Sequence, residues 1–163
     1  MMLTAAFAAI YAVLVFTLAG VSFGIVQVRI ADALIPLSII FGWPAVCGVT
    51  LGCVIANVFT PFPSIFTDIT LGSVANFAAS LLAWKIGSWK PGRVGELLGC
   101  IAAAIVVTFI VGTYLAMITA TGYLVWWTGV GIGSIISICI VGFLLVSILG
   151  NSKIRVTLSD LHH

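Results

Sequence analysis

Charge is what this sequence lacks. Of 163 residues only ten are Asp, Glu, Lys or Arg, 6% against 63% hydrophobic, where a soluble domain carries about 25% charged residues. Lys85, Lys90, Arg93 and Glu96 share one stretch and Lys153, Arg155 and Asp160 the C-terminal tail, leaving Arg29, Asp32 and Asp68 for the rest. An ordinary soluble globule is excluded, and a net charge of +2 is too small for a nucleic-acid partner. Histidine occurs only as His162 and His163, so neither a Ser/His nucleophile nor an HExxH zinc site can be built. No GxxxxGK[ST] loop is present, and the chain cannot hydrolyse ATP by itself. Asp32 and Asp68 lie near the ends of apolar runs rather than deep within them, which disfavours a two-aspartate protease. The four cysteines have no metal-type spacing and no small secreted framework around them, so reduced thiols in apolar segments are expected. The chain reads as a non-enzyme that needs no cofactor and no metal.

Apolar runs are what it has in abundance. Fully helical, the chain would extend roughly 245 Å, and at about 30 Å per bilayer crossing five or six spans consume nearly all of it. Leu3–Val26 is the first run, without a basic leader or cleavage signature, and is read as a retained membrane helix. Ile30–Phe41 is short and carries Pro36, which breaks a helical ladder. Gly42-Trp43-Pro44 turns the chain, with Pro44 placed to open a helix over Ala45–Phe59. The Thr60-Pro61-Phe62-Pro63 loop leads into Ile65–Trp84, and Lys85–Gly95 is the clearest break. Glu96 then opens a helix to about Ile118, its carboxylate a capping charge. Thr119–Gly122 turns again, and the last span ends near Leu149. The expected fold is an all-α integral membrane bundle of about six helices, one of them short, forming a single transmembrane domain over residues 1–163.

Two spans separate the Lys85–Arg93 loop from the Lys153/Arg155 tail, so both lie on one side, cytoplasmic by the positive-inside tendency. Whether Ile30–Phe41 crosses decides the N-terminus. Six spans place it inside; five place it outside, and the side of Arg29 slightly favours five.

Small residues recur four apart, as in Ala5/Ala9, Ala8/Ala12, Gly20/Gly24 and Gly48/Gly52, which lets helix backbones approach closely in lipid. Packing within the bundle accounts for most of these; for the dense alanine run of the first helix, internal packing and docking of another membrane subunit are equally open. Ionisable groups at membrane depth are costly and hence functional candidates: Arg29, Asp32 and Asp68, joined by Gln27, Asn57, Thr67, Ser73 and Asn76. Arg29 and Asp32 share a helical face and could simply pair. Asn57 closes one span and Asp68 opens the next, at one depth, although Asp68 could be only a cap. Asn76 lies two turns deeper on a similar face. Carboxamides and a carboxylate converging from several helices supply both donors and acceptors for a flat, nitrogen-rich solute. Trp43 and Trp127 could stack on it, though interfacial anchoring is the better account. A solute-binding subunit powered by a separate ATPase explains both the polar cluster and the missing motor better than a self-sufficient transporter or a purely structural subunit.

Three blocks carry a resemblance. Gln27-Val28-Arg29-Ile30-Ala31-Asp32-Ala33-Leu34, Leu51-Gly52-Cys53-Val54-Ile55-Ala56-Asn57 and Asp68-Ile69-Thr70-Leu71-Gly72-Ser73-Val74-Ala75 resemble the QueT family, in order and with similar gaps. QueT-type proteins are substrate-binding (S) components of energy-coupling factor (ECF) transporters associated with uptake of queuosine precursors. The resemblance implies six helices with both termini cytoplasmic, and a pocket open to the outside with Arg29, Asp32, Asn57 and Asp68 in it or gating it. It further implies a first helix docking the transmembrane coupling subunit through Ala5, Ala9 and Ala12, and two ATPase subunits. The C-terminal part departs from the pattern, with Val107 where the family has Asn and Gly133-Ser134 where it has Gly-Glu. A Glu would pair a cationic aminomethyl-deazaguanine; Ser134 cannot, which points to a neutral deazapurine such as the cyano form, or to another solute.

Overall fold

The computed structural model describes residues 1–22 and 27–150; the C-terminal Lys153, Arg155, His162 and His163, and Gly24 of the Gly20/Gly24 pair, lie outside the described residues. Every regular element described is helical. They are α1 (Met2–Thr17), α2 (Ala19–Ser22), a 3-10 helix (Ile30–Leu37) running into α3 (Ser38–Phe41), α4 (Trp43–Asn57), α5 (Ile65–Trp89), α6 (Arg93–Thr119) and α7 (Tyr123–Ser134). The last continues through a π-helical stretch, Ile135–Gly142, into α8 (Phe143–Leu149). Three rods, Ile65–Trp89, Arg93–Thr119 and Tyr123–Leu149, are long and apolar enough to cross a membrane; Met2–Thr17, Ile30–Phe41 and Trp43–Asn57 are shorter apolar helices.

The direction of these rods follows from who touches whom. A Cβ at Gly48 would strike Phe7, and one at Gly52 would lie 2.6 Å from the Tyr11 Cβ and 2.8 Å from the Ala8 carbonyl. Further along, Phe16 meets Phe59 edge to face at 5.3 Å. Residue numbers rise together on both helices, so α1 and α4 are parallel neighbours. The chain between them must therefore return along the bundle, and it does. Its start is held by Arg29, which donates to Asn57 at the end of α4. Midway, the Ser38 hydroxyl donates to the Ser80 carbonyl at 2.8 Å, and its end at Gly42 packs under Trp84 near the end of α5. Six rods thus alternate in direction. The described ends, α1 and Gly150, both lie at the end carrying Lys85, Lys90 and Arg93, since Gly150 sits beside Glu96.

Local chemistry explains how twelve residues make that return. A 3-10 helix rises about 2.0 Å per residue against about 1.5 Å in an α-helix, so Ile30–Phe41 reaches about 22 Å instead of about 18 Å. Pro36 has no N–H to contribute to an α ladder, and its ring packs where a Cβ at Gly142 would lie, 2.8 Å from the proline Cγ. The π-helical stretch of the last rod lies along this segment, with Gly133 against the Gln27 backbone and Gly142 against Ala33 and Pro36. Residues 31–38 are buried throughout, which no lipid-facing helix would be. At the turn, Gly42 adopts φ 60°, a backbone open to glycine at little cost.

Helix limits differ from the sequence expectation at several places. The first helix, expected over Leu3–Val26, ends at Thr17 and is followed by the short α2, with 23–26 outside the described residues, and α4 runs Trp43–Asn57 rather than Ala45–Phe59. α5 continues four residues beyond Lys85, and α6 opens at Arg93 rather than Glu96, leaving Gly92 at φ 104° as the break. Long cationic side chains at helix ends reach the interface without terminating the helix, so the charge run marked the membrane border and not the helix end. Glu96 still occupies the first turn of α6.

Candidate functional site

Five of the six site residues expected from sequence converge at the end of the bundle opposite Lys85–Arg93, and none of the six is more than 4% exposed. The Arg29 guanidinium donates to the Asn57 carboxamide oxygen. The nitrogen of the same carboxamide donates to the Asp68 carbonyl at 2.8 Å, so one amide joins the 3-10 segment, α4 and α5. Asp68 Oδ1 accepts from the Tyr114 hydroxyl of α6. On the other flank Tyr11 of α1 donates to Asp32 Oδ1 at 2.6 Å and accepts from Asn76 Nδ2 of α5 at 2.8 Å. Elements far apart in sequence are thereby tied through polar atoms in a setting where an unsatisfied group costs several kcal/mol.

Asp68 does not cap α5. Its N-cap position is Ser64, and no side-chain cap bond forms there; instead the carboxylate points inward to α6. Arg29 and Asp32 each have a hydrogen-bond partner on a different helix, Asn57 of α4 and Tyr11 of α1. Gly72 makes the convergence possible, since a Cβ there would lie 2.5 Å from Asn57 Nδ2 and 3.4 Å from the Tyr114 hydroxyl.

Ser134 is buried on α7, beside the Gly133 that receives the Gln27 backbone. Among the described residues no hydrogen bond joins it to the cluster. Ala5 and Ala9 face outward from α1, whereas Ala12 is 6% exposed and belongs to the inner face with Phe7, Ala8, Tyr11 and Val15. Ala12 is buried on the inner face, so the outward alanine face consists of Ala5 and Ala9, with Ala6 beside them.

Tyr11 and Tyr114 are the site residues that sequence reasoning missed. The signal was present: only three tyrosines occur, and two sit inside apolar runs, where a buried phenol needs a partner. Two loops flank the cluster. Trp126 is buried, donates its indole N–H to Thr119 at 2.8 Å and meets Phe62 edge to face at 5.7 Å. The Pro61–Pro63 loop is therefore tied to the α6–α7 turn by an aromatic pair rather than floating at the interface.

Arg29 brings one positive charge to two carboxylates, and the other described cations, Lys85, Lys90 and Arg93, lie at the opposite end. Among the described residues Asp68 Oδ2 is buried without a hydrogen-bond partner, as is the Ser73 hydroxyl one residue beyond Gly72. A buried carboxylate oxygen held in place on one side and unmet on the other is an acceptor prepared for an N–H donor.

The QueT transporter profile matches residues 1–151. The chain belongs to the QueT transporter family. No curated protein and no solved structure matches it. Membership makes this a transporter chain and not an enzyme. It also fits an apolar helical bundle in which buried polar groups converge at one end.

Proposed function

We propose that this QueT-family chain is the substrate-binding subunit of an ECF-type importer, taking up a queuosine precursor or a related deazapurine. The observation that carries the reading is the buried cluster of Arg29, Asp32, Asn57, Asp68 and Asn76, tied together by Tyr11 and Tyr114. A structural subunit would have no use for an unmatched buried carboxylate oxygen, which is costly in lipid. A 2-aminopyrimidinone edge presents adjacent N–H donors, and Asp68 Oδ2 is free to accept from it. Its carbonyl would accept from the Arg29 or Asn57 donors.

The solute enters from the outer face, where the Arg29 segment and the Pro61–Ser64 loop close over it. A transmembrane coupling subunit docks on α1 through Ala5 and Ala9, and two ATPase subunits drive inward release by reorienting the chain. Both termini then face the cytoplasm, on the side of Lys85, Lys90 and Arg93. Selectivity for charge depends on Asp68 as well as on Ser134: the missing acid at 134 favours a neutral deazapurine, while the unmet Asp68 oxygen accepts from cationic and neutral precursors alike.

Calorimetric or thermal-shift titration of the purified chain with cationic and neutral deazaguanines, with guanine as control, tests the reading. A saturable response to a deazaguanine, lost in Asn57→Ala and Asp68→Ala variants that still fold, is expected. Silence toward every member of the panel removes the substrate assignment. Ser134→Glu should then shift preference toward the cationic precursor; an unchanged ratio would remove position 134 from the selectivity account.

A further inference from the structure

The outside of the bundle, at the end opposite the polar cluster, carries an apolar face edged by cations. Two apolar grooves run along α6, one on each side of a ridge formed by Ile101 and Ile105, which are 41% and 52% exposed. The groove between α5 and α6, about 330 Å³, is walled by Ile86, Trp89, Leu98 and Ala102 and includes Lys90. The groove between α6 and the last rod, about 490 Å³, is walled by Leu97, Ala104, Phe109, Gly131 and Ile135. Along α6 both start within about one and a half turns of Arg93, at Leu97 and Leu98, and the second extends to Phe109. From Leu97 to Phe109 a helix advances about 18 Å, close to the roughly 15 Å depth of one leaflet's hydrocarbon.

Polar chemistry appears at one end only. The Lys90 amine sits over the Trp89 ring, 5.8 Å from its centroid, which holds a cation at the mouth of the first groove. Arg93 is exposed one turn before Leu97. Among the described residues no acid offsets them on this face: Glu96, the one carboxylate of the first turn of α6, is buried and turned toward Ser147 and Gly150.

We propose that this surface binds one diacyl anionic phospholipid, its phosphate at Lys90 and Arg93 and its two acyl chains in the grooves on either side of the Ile101/Ile105 ridge. Two apolar channels beginning at one depth, with positive charge at that depth, fit two chains joined to one anionic head. A single-chain amphiphile would fill one channel, and a zwitterionic head would leave the cations uncompensated. The assignment stands apart from the transported solute, since it uses no residue of the polar cluster.

Native mass spectrometry of the purified full chain, with phosphatidylglycerol and phosphatidylcholine of identical chains added in competition, reads the site directly. Each basic residue near an anionic head contributes about fivefold in affinity, so a preference for phosphatidylglycerol of about 25-fold is expected from Lys90 and Arg93 together. In Lys90→Gln/Arg93→Gln it should fall to near parity with an unchanged thermal midpoint. Ala102→Trp, which fills the first groove, should lower phosphatidylglycerol retention while leaving both cations in place. Equal retention of the two lipids by the native chain, or a preference that survives the double substitution, would overturn the proposal. So would full competition by glycerol phosphate, which lacks the chains.

Discussion

Replacing Gly52 with alanine adds one methyl group at one of the two tight glycine contacts between α1 and α4, and the structure allows its effect to be worked through. The new Cβ would lie 2.6 Å from the Tyr11 Cβ and 2.8 Å from the Ala8 carbonyl oxygen. Ordinary contacts fall at about 3.5–4.0 Å, so α1 must withdraw by about 1 Å. Neither neighbour can swing aside, because one is backbone and the other a Cβ. The same withdrawal stretches the Tyr11–Asp32 bond from 2.6 Å and the Asn76–Tyr11 bond from 2.8 Å beyond useful hydrogen-bond range. Overpacking costs about 1–3 kcal/mol, orphaned buried polar groups about 1–3 kcal/mol, and better helix propensity returns about 1 kcal/mol. The net expectation is a loss of about 3 kcal/mol, or a thermal midpoint lower by about 6–12 °C for a chain of this size.

Tryptophan emission during thermal unfolding in detergent is a suitable assay, since five tryptophans are present. Gly20→Ala is the internal control: nothing lies within 4 Å of its added Cβ, so the same chemical change should be neutral or slightly stabilising. Ligand affinity should fall at least tenfold in Gly52→Ala, because Asp32 loses the phenol that holds it. A Gly52→Ala protein that melts with or above the native one would refute the close-approach account, and with it the link between helix packing and the polar cluster.

Tyr114→Phe removes the donor to Asp68 Oδ1 and leaves both carboxylate oxygens without a hydrogen-bond partner. A midpoint lower by an amount equivalent to about 1–3 kcal/mol is expected, and an unchanged melt would show that water already reaches Asp68. On α1, Ala5→Leu and Ala9→Leu project outward and should leave the isolated chain's stability within about 0.5 kcal/mol while blocking co-purification of a coupling subunit. Ala12→Leu, on the inner face, should cost about 1–3 kcal/mol; equal melts for the three variants would contradict the assigned faces. Trp126→Phe deletes the bond to Thr119 and loosens the Phe62 loop. It should raise ligand dissociation rates in stopped-flow measurements with little effect on the melt, and an unaltered rate would separate the loop from closure.

Much of the fold was legible because a bilayer leaves few options. Backbone groups in lipid must bond within their own segment, so apolar runs punctuated by Gly42-Trp43-Pro44, the Pro61 loop, Gly92 and Gly122 had to be helices joined at those points. Sequence could not decide whether Ile30–Phe41 returns across the bundle, since twelve residues are too few for an α-helical span. The 3-10 winding that lengthens it depends on Pro36 meeting Gly142, a contact more than a hundred residues apart in sequence. The alanine stripe of α1 had the same difficulty: spacing left packing and docking open, the resemblance grouped Ala5, Ala9 and Ala12, and only burial in the folded bundle separated Ala12 from the others.

For the site, scarcity of charge was itself the signal. With three ionisable residues outside the basic loop and tail, each had to be paired or functional, and the sequence alone determined a transport-type membrane chain with Arg29, Asp32 and Asp68 as its costly groups. Which partners satisfy them was decided only by tertiary structure. Asn57 bridges Arg29 to α5, and Tyr11 and Tyr114 each hold one carboxylate from helices that sequence distance keeps apart. Polar groups in an apolar bundle are expensive one at a time and stable only together, and that togetherness is a property of six helices packed, not of any one of them.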